Sequence, residues 1–99
     1  MNKAFLNFLG IAIRARKVIS GTELTVTGIR NGEVKLVIMA EDCSPRTKKD
    51  LHNKASYYNV PVVDTLNSNE LKMAIGKDRK VMGITDLGFA KRLKEIMDN

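Results

Sequence analysis

A polar tetrapeptide, Ser20-Gly21-Thr22-Glu23, follows closely on a cluster of positive charge. Ser20 stands where it would cap a helix beginning at Gly21, and Glu23 stands where a capping box places its carboxylate. The first turn of a helix presents unpaired backbone N–H groups and a partial positive charge, which suit a phosphate or a polar base edge. The three cations just ahead of it are Arg14, Arg16 and Lys17. This combination predicts a module that binds nucleic acid.

Other basic residues form three further groups, and their expected locations differ. One group fills the turn before the last predicted strand and consists of Lys77, Arg79 and Lys80. Loops at sheet ends are where binding residues concentrate, so we expect this group to take part in binding. The remaining two groups lie on predicted helices, where a solvated outer face is the simpler interpretation. They are Lys48, Lys49 and Lys54 on one helix, and Lys91, Arg92 and Lys94 on another.

Length and composition limit the possible classes of protein. The 99 residues predict a single domain, 1–99, and 43% hydrophobic residues are enough for a packed core. A formal charge of +6 favours an anionic partner, but charge alone does not separate RNA, DNA and anionic lipid. No apolar run reaches the ~20 residues of a membrane span, and the N-terminal apolar segment has no cleavage-site pattern. Cys43 is the single cysteine, so neither a disulfide nor a cysteine metal cluster is expected, and the features indicate a cytoplasmic protein.

Acidic residues follow two predicted strands, at Glu41-Asp42 and at Asp86. In open α/β sheets such positions can hold magnesium or accept a phosphoryl group. Helix capping is the favoured interpretation, by Asp42 or Ser44 for the third helix and by Asp86 for the last one. A glycine-rich phosphate loop is missing, and no nucleophile has a plausible base. We therefore predict no catalytic residue, no metal and no cofactor.

Three other kinds of side chain carry chemistry but favour structural roles. His52 is the single histidine and is expected to be an exposed helical residue. Cys43, in a strand-to-helix turn, is expected to be buried or half-buried. All five aromatic residues occupy positions compatible with core packing, so the sequence does not predict a stacking platform for single strands. These are Phe5, Phe8, Tyr57, Tyr58 and Phe89.

Short helices and short apolar strands alternate along the chain. Helical spacing of apolar residues predicts a first helix around Phe5–Ile13, and a very short strand follows at 18–19. A second helix should run from Gly21 to about Asn31, with Gly32 ending it. Apolar strands are predicted at 36–40, 60–63 and 81–84. Pro45 begins a third helix whose inward stripe is Leu51, Ala55 and Tyr58; a fourth spans 67–76 and a fifth follows Asp86. Such alternation predicts an α/β fold with helices on both faces of a small sheet.

The whole chain resembles the kink-turn-binding ribosomal proteins, a superfamily that includes large-subunit proteins of archaea and eukaryotes. Its small bacterial YlxQ-like branch is the most similar. The resemblance to the superfamily lies in the order of elements and in five local features: the helix start Gly21-Thr22, the strand 36–42 with its A-E-D ending, Pro45, Val60-Pro61 and the helix 71–76. Three stretches resemble the YlxQ-like branch: Arg14–Gly21, Tyr57–Pro61 and Thr85–Ala90. It implies a three-layer α–β–α sandwich around a four-stranded mixed sheet. It also implies RNA binding through the start of the second helix and the loop before the last strand.

This sequence departs from the family pattern within those two regions. The family helix start reads G-T-N-E-x-x-K, and its polar side chains contact tandem sheared G·A pairs. Gly21 and Thr22 are kept, but Glu23, Leu24 and Thr27 replace Asn, Glu and Lys. The second loop, apolar in kink-turn binders, is cationic here, and Lys72 replaces a helical glycine. Each base-specific contact is worth ~1–3 kcal/mol, so we expect RNA binding with relaxed or altered specificity.

The resemblance and the charge pattern together predict a non-catalytic RNA-binding protein associated with ribosomes or other ribonucleoproteins. Its expected partners are structured RNA, with ribosomal RNA a candidate, and ribosomal or translation proteins, but no membrane. The predicted RNA-binding residues are Arg14, Arg16, Lys17, Gly21, Thr22, Glu23, Thr27, Lys77, Arg79 and Lys80. One alternative is a protein-interaction module on the same scaffold with weakened RNA binding. A weaker one is an α/β enzyme or receiver built on Asp42, Asp86 and Lys80.

Overall fold

Helices and strands alternate along the entire chain in the computed structural model, which describes residues 2–98. The elements are α1 (Lys3–Arg14), β1 (Val18–Ser20), α2 (Thr22–Arg30), β2 (Leu36–Ala40), α3 (Pro45–Tyr57), β3 (Val62–Leu66), α4 (Ser68–Ile75), β4 (Val81–Ile84) and α5 (Leu87–Asp98). The predicted α/β class is confirmed. The strand predicted at 60–63, β3, begins after Pro61 rather than at Val60, and it runs on to Leu66. Proline has no N–H to donate to a strand ladder, which places it just outside the strand.

All four strands form one sheet with the order β1-β4-β2-β3. β2 and β3 are parallel, whereas β4 is antiparallel to both β1 and β2. The sheet is therefore mixed, as predicted. β1, β2 and β3 all end where β4 begins, and we call this the upper end of the sheet. Its lower end holds the starts of β1, β2 and β3 and the end of β4.

Helices cover both faces of the sheet and complete the three-layer α–β–α sandwich. α2 packs beside α3 and against β1 and β4, while α1 packs against α4 and α5. Every residue of β2 and β4 is buried, as expected for apolar strands covered on both faces. Among residues 2–98, no helix combines the length and the apolar character that crossing a membrane requires.

Two glycines bring α2 close to the sheet. A Cβ atom added at Gly28, in α2, would lie 2.5 Å from Cγ2 of Val34, and one added at Gly83, in β4, would lie 2.7 Å from the same atom. Both distances are below van der Waals contact, and Val34 is itself buried. Because neither glycine carries a Cβ atom, Val34 fits between them and α2 can pack close to β4.

The apolar pattern of the sequence predicts that six residues are largely buried: Phe5, Leu9, Leu51, Ala55, Phe89 and Leu93. This core is confirmed at most of its positions. Phe5, Leu9, Leu51, Ala55 and Leu93 are fully buried. Phe89 is half-buried instead, with its ring centroid 5.2 Å from that of Phe8. The prediction that Tyr58 continues the inward stripe of α3 is wrong. The helix ends at Tyr57 and Asn59 adopts a left-handed φ of 58°, so the chain turns away before Tyr58 can reach the core.

Candidate nucleic-acid interface

The start of α2 lies beside the cationic loop at the upper end of the sheet. β1 and β4 are antiparallel, and their register pairs Ser20 with Met82. One residue further on, the Gly21 N–H donates a hydrogen bond of 2.8 Å to the carbonyl oxygen of Val81. The loop 77–80 leads directly into Val81. The geometry thus brings together two of the predicted groups, which are 56 residues apart if counted from Gly21 to Lys77.

Gly21, and not Ser20, is the N-cap residue of α2. Ser20 is the last residue of β1, and no side chain caps the helix. The predicted capping box of Ser20 and Glu23 is therefore wrong, because pairing with β4 holds Ser20 in the sheet. Gly21 has φ 104° and ψ 150°, a conformation that is essentially restricted to glycine. The first turn keeps its backbone N–H groups free of side-chain acceptors, which suits an anionic ligand.

The cationic loop is fixed at one end and exposed along its length. The carbonyl oxygen of Lys80 accepts hydrogen bonds from the Ala40 N–H at 2.8 Å and from the Cys43 thiol at 3.6 Å. All four residues from Lys77 to Lys80 are exposed. Three cations and one aspartate give this loop a net charge of +2. Its charges are therefore presented to solvent from an anchored backbone.

The first cationic group lies elsewhere, contrary to the prediction that it would join this site. The carbonyl oxygen of Lys17 accepts a 2.9 Å hydrogen bond from the Thr85 N–H at the lower end of the sheet. The three residues of β1 separate Lys17 from Gly21, and these four steps span about 13 Å along the strand. Arg14 and Arg16 precede Lys17 and are exposed, as it is. A strand between two sequence neighbours places them at opposite ends of the sheet.

The acidic residues act as helix caps. The Asp42 carboxylate accepts hydrogen bonds from the N–H and the hydroxyl of Ser68, at 2.9 and 2.6 Å, at the start of α4. These bonds, chiefly the one from the Ser68 hydroxyl, lower the pKa of Asp42. Ser44 caps α3 by accepting from the Thr47 N–H, and Asp86 caps α5 by accepting from the Phe89 N–H. Capping is thus confirmed, although Asp42 serves α4 and not α3.

This arrangement contradicts the acidic-site alternative. Asp42 follows β2 and Asp86 follows β4, and these strands are antiparallel. The two carboxylates therefore lie at opposite ends of the sheet and cannot share a metal or a phosphoryl group. Within residues 2–98, no cluster of three or more histidine, cysteine, aspartate or glutamate side chains could hold a metal ion.

His52 and Cys43 fit their predicted structural settings. His52 is exposed, and its Nε2 atom lies 2.9 Å from a carboxylate oxygen of Asp64. Cys43 is buried, and that burial raises the pKa of its thiol. A thiol that is buried and held in its neutral form is a poor nucleophile.

The comparison with known proteins identifies the family. A family model described as the ribosomal protein L7Ae/L30e/S12e/Gadd45 family matches residues 3–94. The chain belongs to this family. It is 47% identical over 93 residues to the RNA-binding protein YlxQ of Enterococcus faecium, covering 94% of this chain and 90% of that one. The YlxQ protein of Bacillus subtilis is 44% identical over 91 residues, covering 91% of each chain. The predicted resemblance and its YlxQ-like branch are confirmed.

A solved structure shows the same fold across the full length. A Bacillus halodurans protein, described as having unknown function, superposes with a TM-score of 0.95 and 40% identity. The match covers all of both chains. The architecture that places the helix start beside the loop before β4 is therefore shared by this 40% identical protein.

The residues that depart from the family pattern on α2 are all accessible. Glu23, Leu24 and Thr27 are exposed, and Leu24 retains 60% of its accessible surface. Residues three and four apart lie on one side of a helix, so Thr27 stands one turn beyond both Glu23 and Leu24. Since core packing does not hold these three side chains, their identities affect what the helix can bind more than how it folds.

The sequence did not predict that two tyrosine side chains are exposed. Tyr57 is 79% exposed and Tyr58 41% exposed, so the prediction that all aromatic residues pack in the core is wrong for this pair. Their ring centroids are 4.9 Å apart in an edge-to-face arrangement. Asn59 and Pro61 were the available signal, because an asparagine and a proline just after an apolar stripe indicate that the helix has ended.

Proposed function

We propose that this protein is a non-catalytic, cytoplasmic RNA-binding protein that acts in association with ribosomes or other ribonucleoprotein particles. Its YlxQ relatives are named as RNA-binding proteins, and its family is named after ribosomal proteins. The net charge of +6 supports an anionic partner. Ribosomal or translation proteins would then be neighbours in the same particle.

The observation that carries this proposal is the 2.8 Å hydrogen bond between Gly21 and Val81. It joins an uncapped helix start to a loop with three exposed cations. The free backbone N–H groups of Thr22 and Glu23 would meet a phosphate or a base edge, and the side chains of Lys77, Arg79 and Lys80 would meet the adjoining phosphates. Thr22, Glu23 and Thr27 would face the bases.

Arg14, Arg16 and Lys17 have a separate place in this proposal. The nearest of them, Lys17, lies about 13 Å from the helix start along β1, so the group would contact phosphates further along the same RNA. At about 3.4 Å per nucleotide in a stacked strand, this separation is close to four nucleotides. Their removal should weaken binding without changing which RNA is preferred.

The test compares two sets of alanine substitutions that remove equal charge. Lys77, Arg79 and Lys80 are changed together in one variant; Lys91, Arg92 and Lys94, on α5, are changed in the control. Each lost phosphate contact reduces the salt slope by about 0.9 on duplex RNA and about 0.7 on single strands. The loop variant should therefore show a slope smaller by about 2–3, whereas the α5 variant should keep the original slope. Binding isotherms at several salt concentrations measure both.

A second comparison tests which residues read bases. Changing Glu23→Asn, Leu24→Glu and Thr27→Lys together should create a preference for a kink-turn RNA over a control with disrupted G·A pairs. Tight kink-turn selectivity in the unmodified protein, insensitive to salt, would contradict the proposed loss of base readout. If the unmodified protein binds neither RNA at low salt, the protein-interaction alternative gains support.

A further inference from the structure

A cleft at the far ends of α2 and α3 is lined by side chains typical of nucleotide-binding surfaces. It has a volume of about 420 Å³, and its walls come from Arg30, Asn53, Lys54, Tyr57 and Tyr58. Two of these residues are cations, one is an amide and two are aromatic. The lining contains no acidic residue. The cleft is therefore open to a ligand that is both negatively charged and flat.

The exposure of the tyrosines is difficult to explain by folding alone. Tyr57 leaves most of its ring in water, although α3 already buries Leu51 and Ala55 against the core. An aromatic ring of this size normally contributes to stability by being covered. The edge-to-face pair leaves ring surface of Tyr57 free to accept a stacked partner. A base presents such a partner, since every base has a flat π-face.

The cleft is connected to the proposed RNA site. α2 runs from Thr22 at the upper end to Arg30 at the cleft, a distance of about 12 Å. A furrow between α2 and α3 shares Asn53 and Lys54 with the cleft and joins it to the helix start. Its other lining residues are Thr22, Val26, Thr47, Asp50 and Leu51, so it carries one acidic side chain beside Lys54. At about 3.4 Å per stacked nucleotide, three to four nucleotides cover this distance.

We propose that the Arg30–Tyr57–Tyr58 cleft binds one or two unpaired nucleotides that flank the structured RNA held at the start of α2. This inference rests on the proposed function. A base stacks on Tyr57, the Asn53 amide meets a base edge, and Arg30 and Lys54 contact the neighbouring phosphates. A floor of aromatic rings flanked by cations suits bases better than the aliphatic side chains of a protein ligand.

The experiment uses the full chain and two synthetic RNAs. One is a blunt-ended kink-turn hairpin, and the other is the same hairpin with four unpaired adenosines at each end. The variants are Tyr57→Ala and Tyr57→Phe, with Met73→Ala as a control. Met73 lies on α4, on the opposite face of the sheet, and is 72% exposed. Tyr57→Ala should weaken binding of the extended RNA by roughly 5- to 100-fold and leave the blunt RNA unchanged. Tyr57→Phe, which keeps the ring, and Met73→Ala should bind both RNAs as the unmodified protein does.

Tyrosine fluorescence gives a second readout that reports on this cleft alone. The chain has two tyrosines and no tryptophan, and both tyrosines line the cleft. The extended RNA should quench this emission, whereas the blunt RNA should leave it nearly unchanged. The inference about the cleft would be overturned if the extended RNA left the emission unaltered and Tyr57→Ala bound that RNA as tightly as the unmodified protein does. Binding of the blunt RNA in the same experiment would still support the proposed function. Failure of the unmodified protein to bind either RNA would overturn both.

Discussion

The conformation of Gly21 should make this position intolerant of any L-amino acid. Its φ of 104° and ψ of 150° lie in a region that is essentially open to glycine only, and occupying it costs another residue of order 1–3 kcal/mol. A Cβ atom here would meet nothing within 4 Å, so steric crowding by neighbours adds no further penalty. We therefore expect Gly21→Ala to destabilise the fold by about 1–3 kcal/mol through backbone conformation alone.

Gly10→Ala is the matched control, because it makes the same chemical change with the opposite expected sign. Gly10 lies inside α1, and its added Cβ would also meet nothing within 4 Å. Alanine is favoured over glycine in a helix interior by about 1 kcal/mol, so this variant should be more stable than the unmodified protein. Urea unfolding followed by circular dichroism at 222 nm measures both changes. Each kcal/mol corresponds to roughly 4–8 °C in Tm for a domain of this size.

A D-alanine introduced at position 21 by chemical ligation separates conformation from side-chain bulk. D-residues favour positive φ, so the D-alanine protein should recover most of the stability that Gly21→Ala loses. It should also recover RNA affinity, since the Gly21–Val81 hydrogen bond is restored. A change of less than about 0.5 kcal/mol in the free energy of unfolding of Gly21→Ala, the usual range for neutral surface substitutions, would refute the conformational penalty.

Two further predictions concern packing and pH. Gly83→Ala should destabilise the protein by about 1–3 kcal/mol, because the new methyl group overpacks against Val34. In a double-mutant cycle followed by urea unfolding, Gly83→Ala should cost less stability when Val34→Ala is also present. An equal cost with and without Val34→Ala would contradict the close approach of Gly83 to Val34. Ser68→Ala should raise the pKa of Asp42, as followed by carboxyl NMR titration, because the serine hydroxyl is the main cause of its depression. Because the folded-state pKa of Asp42 lies below the ordinary pKa of an aspartate, the stabilisation is fully present above that ordinary pKa and is lost as the pH falls through the folded-state pKa. The variant should therefore lose less stability than the unmodified protein over that acidic interval, and an unchanged Asp42 titration would refute the assignment.

The fold was predictable because its signals are local. A run of apolar residues such as Leu36–Ala40 indicates a strand buried on both faces, wherever its neighbours are. Pro45 and Gly32 mark a helix start and a helix end by their own backbone preferences. Resemblance to the family supplied the number of strands and the three layers.

Helix capping shows where local signals become ambiguous. Ser20 and Glu23 match the spacing of a capping box, yet hydrogen bonding to β4 places Ser20 in a strand. Asn67 and Glu70 have the same spacing and do form a capping box at the start of α4. Over four residues, Ser20–Glu23 and Asn67–Glu70 carry the same capping-box spacing. What distinguishes them is that Ser20 pairs with strand β4, about 60 residues away in sequence.

The candidate site was predictable where the family resemblance supplied it, and not from the residues alone. Gly21 and the loop 77–80 meet because β1 and β4 are antiparallel, and the resemblance implied that both regions bind RNA. Lys17 precedes Gly21 by four residues and was expected beside it, but an intervening strand carries it to the lower end. Asp42 and Asp86 are separated for the same reason. Sequence proximity is thus a poor guide to spatial proximity across even a three-residue strand.

Leu24 connects these observations to recognition. A large apolar side chain with 60% of its surface in water adds little to folding, and it lies in the first turn of α2 beside the proposed phosphate contacts. Under the proposed function, it offers an RNA base an apolar surface where kink-turn binders offer a hydrogen-bonding carboxylate. Charge from the loop would then supply affinity, while Leu24 and the distant tyrosines would favour exposed bases over paired ones. On both proposals, the loss of G·A readout and the gain of contact with unpaired nucleotides would be two aspects of one shift in specificity.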